Sequence, residues 1–175
     1  MLIFFDIIFI VRSEFMLVDT HCHIYEEYYK DIDNLMDKVM SSGISEIINN
    51  GCNLDTSKEV IELSKLYNNM YYTIGLHPEE NLGEINEVLS LIKSNMKDDK
   101  FVGIGEIGLD YYWNKDNKEE QIKILKKQLE FAQNYNLPVI IHSRESTGDM
   151  INILRKYNFC KRKCFIFYKV SARGS

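Results

Sequence analysis

The sequence predicts an α/β fold, a TIM-type (β/α)8 barrel that is incomplete and comprises about the first five to six βα units. From Met16 onward, short apolar segments alternate with amphipathic ones, which is the order of strands and helices in a parallel sheet. Residues that can bind metal follow several of the apolar segments. With 175 residues, the chain is shorter than the roughly 200 to 250 residues that a closed barrel needs.

Five apolar segments are predicted to be buried strands, because each is short and rich in Val, Ile, Leu or Tyr. They are Met16–Asp19, Ser45–Asn49, Met70–Gly75, Phe101–Ile107 and Leu137–Ile141.

Five further segments carry apolar residues at spacings of three and four, the repeat of an amphipathic helix. The strongest runs from Ile122 to Ala132 and is ended by Asn136 and Pro138. The apolar repeats of the others start at Ile32, Val60, Ile85 and Met150. Strands and helices that alternate in this way predict a parallel sheet covered by helices.

All four histidines and one glutamate lie where a predicted strand gives way to a loop. They follow the first, third, fourth and fifth strands and are His21, His23, His77, Glu106 and His142. An open doubly wound sheet places ligands only near a switch point. The strand ends of a barrel all converge on one mouth, so this wide distribution favours the barrel.

The composition is that of a soluble globular protein, with 45% hydrophobic and 27% charged residues. The formal net charge is −5, so the chain lacks the overall basic character typical of proteins that grip long nucleic acids by their backbone. A phosphate substrate would have to be attracted by a local feature such as bound metal cations. We expect neither a membrane partner nor an obligate protein partner.

The four cysteines are scattered and contain no C-x-x-C pair, which favours a reducing compartment. Cys160 and Cys164 are four residues apart, but no two further zinc ligands lie near them. We expect a cytoplasmic protein.

Residues 1–15 are predicted to be an apolar N-terminal extension, and residues 16–175 to form the barrel domain. The apolar run Met1–Val11 has about the length of a signal-peptide core, and a secreted protein is the alternative if it acts as a signal. Asp6 interrupts the run, no basic residue precedes it and no cleavage site follows. It is also shorter than the roughly 20 residues needed to span a bilayer.

The segment Asp19-Thr20-His21-Cys22-His23 places two histidines two positions apart. Residues two apart on a strand point to the same side, so His21 and His23 can present two imidazoles to one metal ion. Neutral imidazole binds Zn, Fe, Mn or Ni. A His-x-His pair alone is equally compatible with two histidines that merely have hydrogen-bond partners.

Glu106 lies in the glycine-rich segment 103–110, at the end of a predicted buried strand. A buried carboxylate needs a cation or hydrogen bonds to stay charged. Its two oxygens could bridge two metal ions about 3.5–4 Å apart. A tight strand exit in which Glu106 pairs with an arginine is the alternative. The Gly-x-Gly in this segment is not a dinucleotide-binding fingerprint, since no third glycine is correctly placed.

Two further elements contain candidate site residues. His142 follows a strand of β-branched residues and would reach the same mouth, and Arg144 offers a planar cation that suits phosphate. An ion pair with Glu145 or another acid is the alternative for Arg144. His77, in Gly75-Leu76-His77-Pro78, is predicted to contact substrate, although a metal ligand or a core histidine would fit the same pattern.

The order and spacing of these elements resemble the TatD family of metal-dependent hydrolases. The resemblance rests on Leu17–His23, on Gly105–Tyr112 and on Leu137–Arg144, and it covers about 140 residues from Met16 to about Tyr157. It implies a TIM-type barrel with two divalent cations (Mg, Mn or Zn) at its mouth.

By the same resemblance, His21 and His23 would hold the first metal, Glu106 would bridge as the catalytic carboxylate, and His142 would hold the second. Independently of the resemblance, the residues themselves predict that His77 and Arg144 contact the substrate. Members of the family are DNA-directed phosphodiesterases, often 3′→5′ exonucleases, and some relatives remove D-amino acids from tRNA.

The sequence departs from the family pattern after about Tyr157. The pattern requires another histidine after the sixth strand and an aspartate after about the seventh, but no histidine follows His142 and the last aspartate is Asp149. The tail segment Lys161–Tyr168 contains a strand-like apolar run without a ligand at its end. A truncated or frame-shifted version of a longer protein explains these absences better than a compact variant.

Three functions remain open on this basis. The first is a metal-dependent deoxyribonuclease, or the corresponding portion of one. The second is a D-aminoacyl-tRNA deacylase. The third is a non-catalytic fragment that binds metal and turns nothing over.

Overall fold

The computed structural model describes residues 8–11, 16–113, 115–157 and 164–168. In these residues the chain forms a seven-stranded sheet whose strands follow one another in chain order. The strands are β1 (Ile8–Val11), β2 (Met16–Cys22), β3 (Ile44–Asn50), β4 (Met70–Ile74), β5 (Phe101–Asp110), β6 (Val139–Arg144) and β7 (Cys164–Tyr168).

All neighbouring strands from β2 to β7 pair in parallel. Helices connect them, namely α1 (Ile32–Ser41), α2 (Leu54–Leu66), α3 (Ile85–Asn95), α4 (Lys118–Tyr135) and α5 (Thr147–Leu154), with a 3-10 turn at Leu82–Glu84. Parallel strands in sequential order with helical crossovers are the arrangement of a (β/α)8 barrel. The prediction of an incomplete TIM-type α/β fold is therefore confirmed.

Four of the five predicted strands extend further at their carboxyl ends than the apolar runs suggested. β3 extends by one residue, to Asn50. β2 continues to Cys22, β5 to Asp110 and β6 to Arg144. The extra residues are largely polar, and the parallel ladder continues through them because Asp110 pairs with Arg144. His21 and His142 consequently lie within strands rather than in the following loops.

The two outermost strands differ in how well the sequence anticipated them. The apolar run in the tail forms β7, which pairs in parallel with β6. β1 lies within the predicted N-terminal extension and pairs antiparallel with β2, with Ile8 opposite Asp19 and Val11 opposite Met16. β1 therefore covers the edge of β2 that β3 does not occupy.

Local sequence signals mark where several of the helices begin and end. α2 begins with a capping box between Asn53 and Thr56. α4 ends at Tyr135, and the next residue, Asn136, adopts a left-handed conformation (φ 54°). α5 begins at Thr147, earlier than the apolar repeat from Met150 indicated, and ends at Leu154 before Tyr157.

The main hydrophobic core lies between the parallel strands and helices α2 to α4. Its fully buried side chains come from both layers and include Tyr72, Ile104, Ile107, Ile141, Val60, Ile92 and Leu129. A smaller cluster around Met36, Ile47 and Met70 packs beneath α1. The core fixes the strands, and with them the residues at their carboxyl ends. Within the described ranges, no helix combines the length and the apolar character needed to cross a membrane.

Candidate metal centre at the carboxyl ends of the strands

The structure brings the histidines and Glu106 together at the carboxyl end of the sheet. His21 lies in β2 and His23 directly after it, His77 follows β4, Glu106 lies in β5 and His142 in β6. Two groups could each hold a metal ion, namely His21 with His23 and Glu106, and His77 with Glu106 and His142. Within each group the potential ligand atoms lie within 4.8 Å of one another, and Glu106 belongs to both groups.

In the first group, two imidazole nitrogens converge on one carboxylate oxygen. The Nε2 atoms of His21 and His23 are 3.0 Å apart. They lie 3.5 Å and 3.2 Å, respectively, from Oε2 of Glu106. On its other side, Nδ1 of His23 lies 3.0 Å from the hydroxyl of Tyr25 and 3.2 Å from the carbonyl oxygen of Asn50. These contacts orient the imidazole so that Nε2 faces Glu106.

In the second group, the other oxygen of Glu106 faces His142. Nδ1 of His142 lies 3.1 Å from Oε1 of Glu106. The ring of His77 meets the ring of His142 edge to face, with 4.3 Å between centroids. Each oxygen of Glu106 is thus directed to a different set of imidazoles, which is the arrangement of a carboxylate that bridges two sites.

Close strand contacts make this convergence possible. The backbone N–H of Glu106 donates to the carbonyl oxygen of Gly51 at 2.9 Å. Gly108 pairs with His142 across β5 and β6, and a Cβ atom at Gly108 would lie 1.9 Å from the carbonyl oxygen of His142. Only glycine permits that approach, so the glycine-rich segment is needed to bring β5 and β6 together beside the site.

Helix α4 holds two parts of the site through buried glutamines seven residues apart. Gln128 accepts from the backbone N–H of Leu76 at 2.9 Å and donates to its carbonyl oxygen at 3.0 Å. Gln121 makes the same pair of bonds with the backbone of Asp110, both at 2.9 Å. α4 therefore fixes the loop that carries His77 and the end of β5.

The electrostatics of the site centre on Glu106, whose side chain is almost fully buried. Burial alone would raise its pKa, but hydrogen bonds with His142 and His23 and the nearby His21 outweigh burial and hold the pKa well below its usual value. Glu106 therefore remains a carboxylate despite being only 5% exposed.

The pKa values of the histidines are shifted in opposite directions. Burial lowers the pKa of His23, but Cys52 and Glu106 outweigh it and raise the pKa to about 11. Burial likewise opposes the protonated form of His142, yet Asp110 and Glu106 raise its pKa to about 9. For His77 burial dominates and lowers the pKa to about 4, so His77 is neutral at pH 7.

The residues present fit a divalent cation. The three ligand atoms of the first group all carry lone pairs, and nitrogens 3.0 Å apart repel each other unless a proton or a cation lies between them. Imidazole nitrogen and carboxylate oxygen are ligands that Zn²⁺ and Mn²⁺ accept, and carboxylate also suits Mg²⁺. A cation would replace the protons that the raised pKa values assign to this cluster.

Asp110 belongs to the site, although no role was predicted for it from the sequence. Its Oδ2 lies 2.9 Å from Nε2 of His142, opposite the nitrogen that faces Glu106. A ligand histidine is commonly oriented in this way by a carboxylate on its second nitrogen. The sequence signal that could have identified Asp110 is its spacing of four residues from Glu106, because residues 106 and 110 point to the same side of one strand.

Arg144 lies two positions beyond His142 on β6 and therefore points to the same side of the sheet. Its guanidinium carbon is 3.8 Å from the ring centroid of Tyr112. Glu145, the acid considered as an alternative partner of Arg144, lies with its Oε2 3.8 Å from Nζ of Lys115.

Comparison with known proteins identifies a family for this arrangement. Residues 18–172 match the family described as TatD related DNase. An uncharacterized metal-dependent hydrolase of Bacillus subtilis, YabD, is 34% identical over 142 residues, which cover 81% of this chain and 56% of the relative. The human protein named deoxyribonuclease TATDN3 is 29% identical over 156 residues, covering 80% of this chain and 56% of the relative.

Solved structures give the same result. The crystal structure of YjjV, a TatD homologue from Escherichia coli K12, superimposes with a TM-score of 0.74 at 27% identity, over 81% of this chain and 56% of that one. A TatD family hydrolase from Entamoeba histolytica gives a TM-score of 0.64 at 31% identity, over 78% and 48%. The chain thus spans about half the length of the relatives it matches. Because the family match extends over nearly the whole sequence, the chain belongs to the family of TatD related DNases.

Proposed function

We propose that the chain carries the metal-binding part of a hydrolase that cleaves phosphodiester bonds of DNA from a free 3′ end. The observation that carries the proposal is the divided coordination of Glu106. One oxygen faces His21 and His23, and the other faces His142. A pair of cation sites that share one carboxylate is the arrangement used for in-line displacement at phosphorus.

Each residue has a distinct role in this proposal. His21 and His23 hold one cation, His142 holds the other, and Glu106 contributes to both. The chemistry that two divalent cations supply in such a site is polarisation of the phosphate and generation of hydroxide from water. His77 is neutral at pH 7 and buried beside His142, so it can exchange a hydrogen bond with a substrate oxygen without adding charge.

The choice of DNA rests on two supports. The matched family is described as DNases, and the human relative is named a deoxyribonuclease. The chemistry of the site is compatible with DNA because the nearby guanidinium of Arg144 can bind a phosphate oxygen pair. A D-aminoacyl-tRNA deacylase would use the same cations on an ester, so that substrate belongs in the test as a separate outcome.

The test uses a single-stranded oligodeoxynucleotide labelled at its 5′ end, with either a free or a blocked 3′ end. We expect stepwise shortening only of the free 3′ end, dependent on Mg²⁺, Mn²⁺ or Zn²⁺ and abolished by a chelator. If downstream coding sequence extends the chain, the parent protein is assayed beside it. Hydrolysis of D-aminoacyl-tRNA without any shortening of DNA would overturn the proposed substrate.

Glu106→Ala should abolish the shortening and weaken metal binding at both positions, because the shared ligand is lost. Glu62→Ala, which removes an exposed carboxylate of α2, is the matched control and should change neither. A Glu106→Ala protein that keeps the full rate would refute the role assigned to Glu106.

A further inference from the structure

Three buried side-chain amides bind the backbone beside the histidines of the metal centre. They are Asn49 in β3 and Gln121 and Gln128 in α4, and we call them the amide clamps. We propose that the amide clamps are positioning residues, each of which sets the direction of a different imidazole of the metal centre. The inference deepens the proposed function and rests on it for the presence of two cations.

The first clamp holds the segment that leaves β2. Oδ1 of Asn49 accepts from the backbone N–H of Ile24, and Nδ2 of Asn49 donates to the carbonyl oxygen of Ile24, both at 2.8 Å. The last ladder pair between β2 and β3 joins Cys22 to Asn49, so Ile24 lies beyond the ladder. Asn49 therefore continues the attachment of this segment to β3 and fixes the backbone directly after His23.

The other two clamps lie on α4 and hold the ends of β4 and β5. Gln128 binds the N–H and the carbonyl oxygen of Leu76, the residue before His77, at 2.9 Å and 3.0 Å. Gln121 binds the same two backbone groups of Asp110, both at 2.9 Å. The carboxylate of Asp110 lies 2.9 Å from Nε2 of the histidine at the second cation position, so this clamp acts on that imidazole through Asp110.

The chemistry of the clamps is not what their burial alone would require. All three side chains are at most 1% exposed, whereas Asn and Gln are mostly exposed in folded proteins. A leucine or methionine of similar volume would fill the same interior without the cost of desolvating an amide. An amide is the uncharged side chain that offers a donor and an acceptor side by side, which is what one backbone residue needs.

Loss of a clamp would leave one N–H and one carbonyl group of the backbone unpaired in the interior. Such groups are costly to bury, so the segment would shift until they reach water or another partner. The imidazole that depends on this segment would shift with it, and a metal site tolerates little misplacement of its ligands. Because each clamp holds a different segment, each loss should affect a different part of the metal centre.

Labelling of the histidines with nitrogen-15 measures each part separately. The chain contains four histidines, and all four lie at the metal centre. Two-dimensional NMR follows the ring nitrogens while Zn²⁺ is added, since Zn²⁺ binds imidazole nitrogen directly and changes its signal. Replacement of one histidine at a time assigns the signals. The titration then gives one apparent affinity for each cation position.

Asn49→Leu should lower the Zn²⁺ affinity reported by His21 and His23 by about tenfold, as is typical when a ligand loses its outer support, and leave that reported by His142 unchanged. Gln121→Met should have the opposite effect, with the loss confined to His142. Asn49→Ser and Gln121→Asn stay polar but cannot reach both backbone groups. They should give the same pattern, and they replace any first variant that circular dichroism shows to be unfolded.

Gln128→Met should leave both Zn²⁺ affinities unchanged and shift the ring signals of His77. In the oligonucleotide assay it should raise KM more than it lowers kcat, because His77 is proposed to contact the substrate and not to hold a cation.

Two variants of α4 are the controls. Gln133→Met makes the same substitution at an exposed glutamine and should change nothing. Leu125→Ala loosens the packing of α4 between the two clamps without removing an amide, and it should lower stability without favouring one cation position. If Leu125→Ala reproduces the selective loss of Gln121→Met, or if Gln121→Met weakens both positions equally or neither, the inference is wrong.

The outcomes separate this inference from the proposed function. Selective losses of Zn²⁺ affinity in a protein that never cleaves DNA would support the amide clamps and contradict the nuclease. Cleavage of DNA by the wild type, together with equal losses at both cation positions in every clamp variant, would support the nuclease and contradict the clamps. A wild type whose histidines do not respond to Zn²⁺ would contradict both.

Discussion

Asp110 and Glu106 together orient His142, each from one side of the imidazole ring. Glu106 faces one ring nitrogen at 3.1 Å and Asp110 faces the other at 2.9 Å, so the imidazole has a defined direction before any ligand binds. The pKa of Asp110 is itself lowered, because hydrogen bonds with His142 and with the backbone of Tyr112 outweigh the effect of burial. Both carboxylates are therefore charged at pH 7, and each stabilises the same histidine.

Asp110→Asn should weaken metal binding at the His142 position by about 10- to 100-fold, the usual effect of losing an orienting carboxylate. Binding at His21 and His23 should change much less, because the imidazole that Asp110 orients is that of His142. Competition with a fluorescent chelator measures both affinities. The control is Asp99→Asn, an exposed aspartate in the segment before the amino end of β5. Equal weakening at both positions would show that Asp110 acts on the whole fold and not on His142.

Metal binding should release protons at neutral pH. The raised pKa values of His23 (about 11) and His142 (about 9) mean that both imidazoles are protonated at pH 7 in the metal-free protein. A metal accepts only the neutral ring, so each histidine must lose its proton and the apparent affinity rises with pH. Below pH 9 the slope is about tenfold per pH unit for each proton displaced.

Calorimetric titration with Zn²⁺ or Mn²⁺ in two buffers of different ionisation enthalpy counts the released protons. His77→Ala should leave the count unchanged, since the pKa of His77 is lowered to about 4 and the ring holds no proton at pH 7. A binding enthalpy that is the same in both buffers would contradict the protonated state of His23 and His142.

At the scale of elements, the sequence predicted the strands and helices well because each depends on local signals. The apolar runs, the three-and-four spacing and the stop at Asn136 are all readable within a few neighbouring residues. The extension of β5 to Asp110 and the pairing of β1 with β2 depend instead on which strand lies alongside. Asp110 was missed for that reason, since it acquires its partner His142 from β6.

Gly108→Ala should destabilise the protein, because the new Cβ would lie 1.9 Å from the carbonyl oxygen of His142 and force β5 from β6. A loss of about 1–3 kcal/mol in the free energy of unfolding is typical of such overpacking. The separation occurs beside His142, so metal affinity should fall as well. Urea denaturation measures the loss.

Gly148→Ala is the matched control, since no atom within 4 Å would meet its Cβ and the residue lies in α5. Alanine favours a helix over glycine, so this variant should be as stable as the wild type or slightly more stable, by at most about 1 kcal/mol. If both glycine variants lose stability equally, the close approach of β5 and β6 is not the cause.

At the scale of the whole molecule, β1 and β7 are the two outermost strands of the sheet that the described residues form. A closed barrel has no such edges, because its first and last strands pair. The backbone groups on the outer side of an edge strand lack strand partners and can pair with another chain. The sequence indicated an incomplete barrel through its length and through the absence of a histidine after His142. The antiparallel pairing of β1 with β2 could be seen only in the structure.

The 175-residue chain should therefore be a weak enzyme that associates with itself. One candidate cation site has His21, His23 and Glu106, and the other has His142 and Glu106 with His77 beside them. The two further ligands of the family pattern have no counterpart in this sequence. Each missing ligand weakens binding and leaves the geometry of the ion less defined.

Two measurements test this expectation. Nuclease assays with Mg²⁺, Mn²⁺ and Zn²⁺ compare the chain with a complete family barrel, and light scattering after size exclusion measures its association. Turnover equal to that of the complete barrel from a monomeric chain would show that the absent ligands are dispensable. The same turnover confined to a dimer would show that a second subunit supplies them.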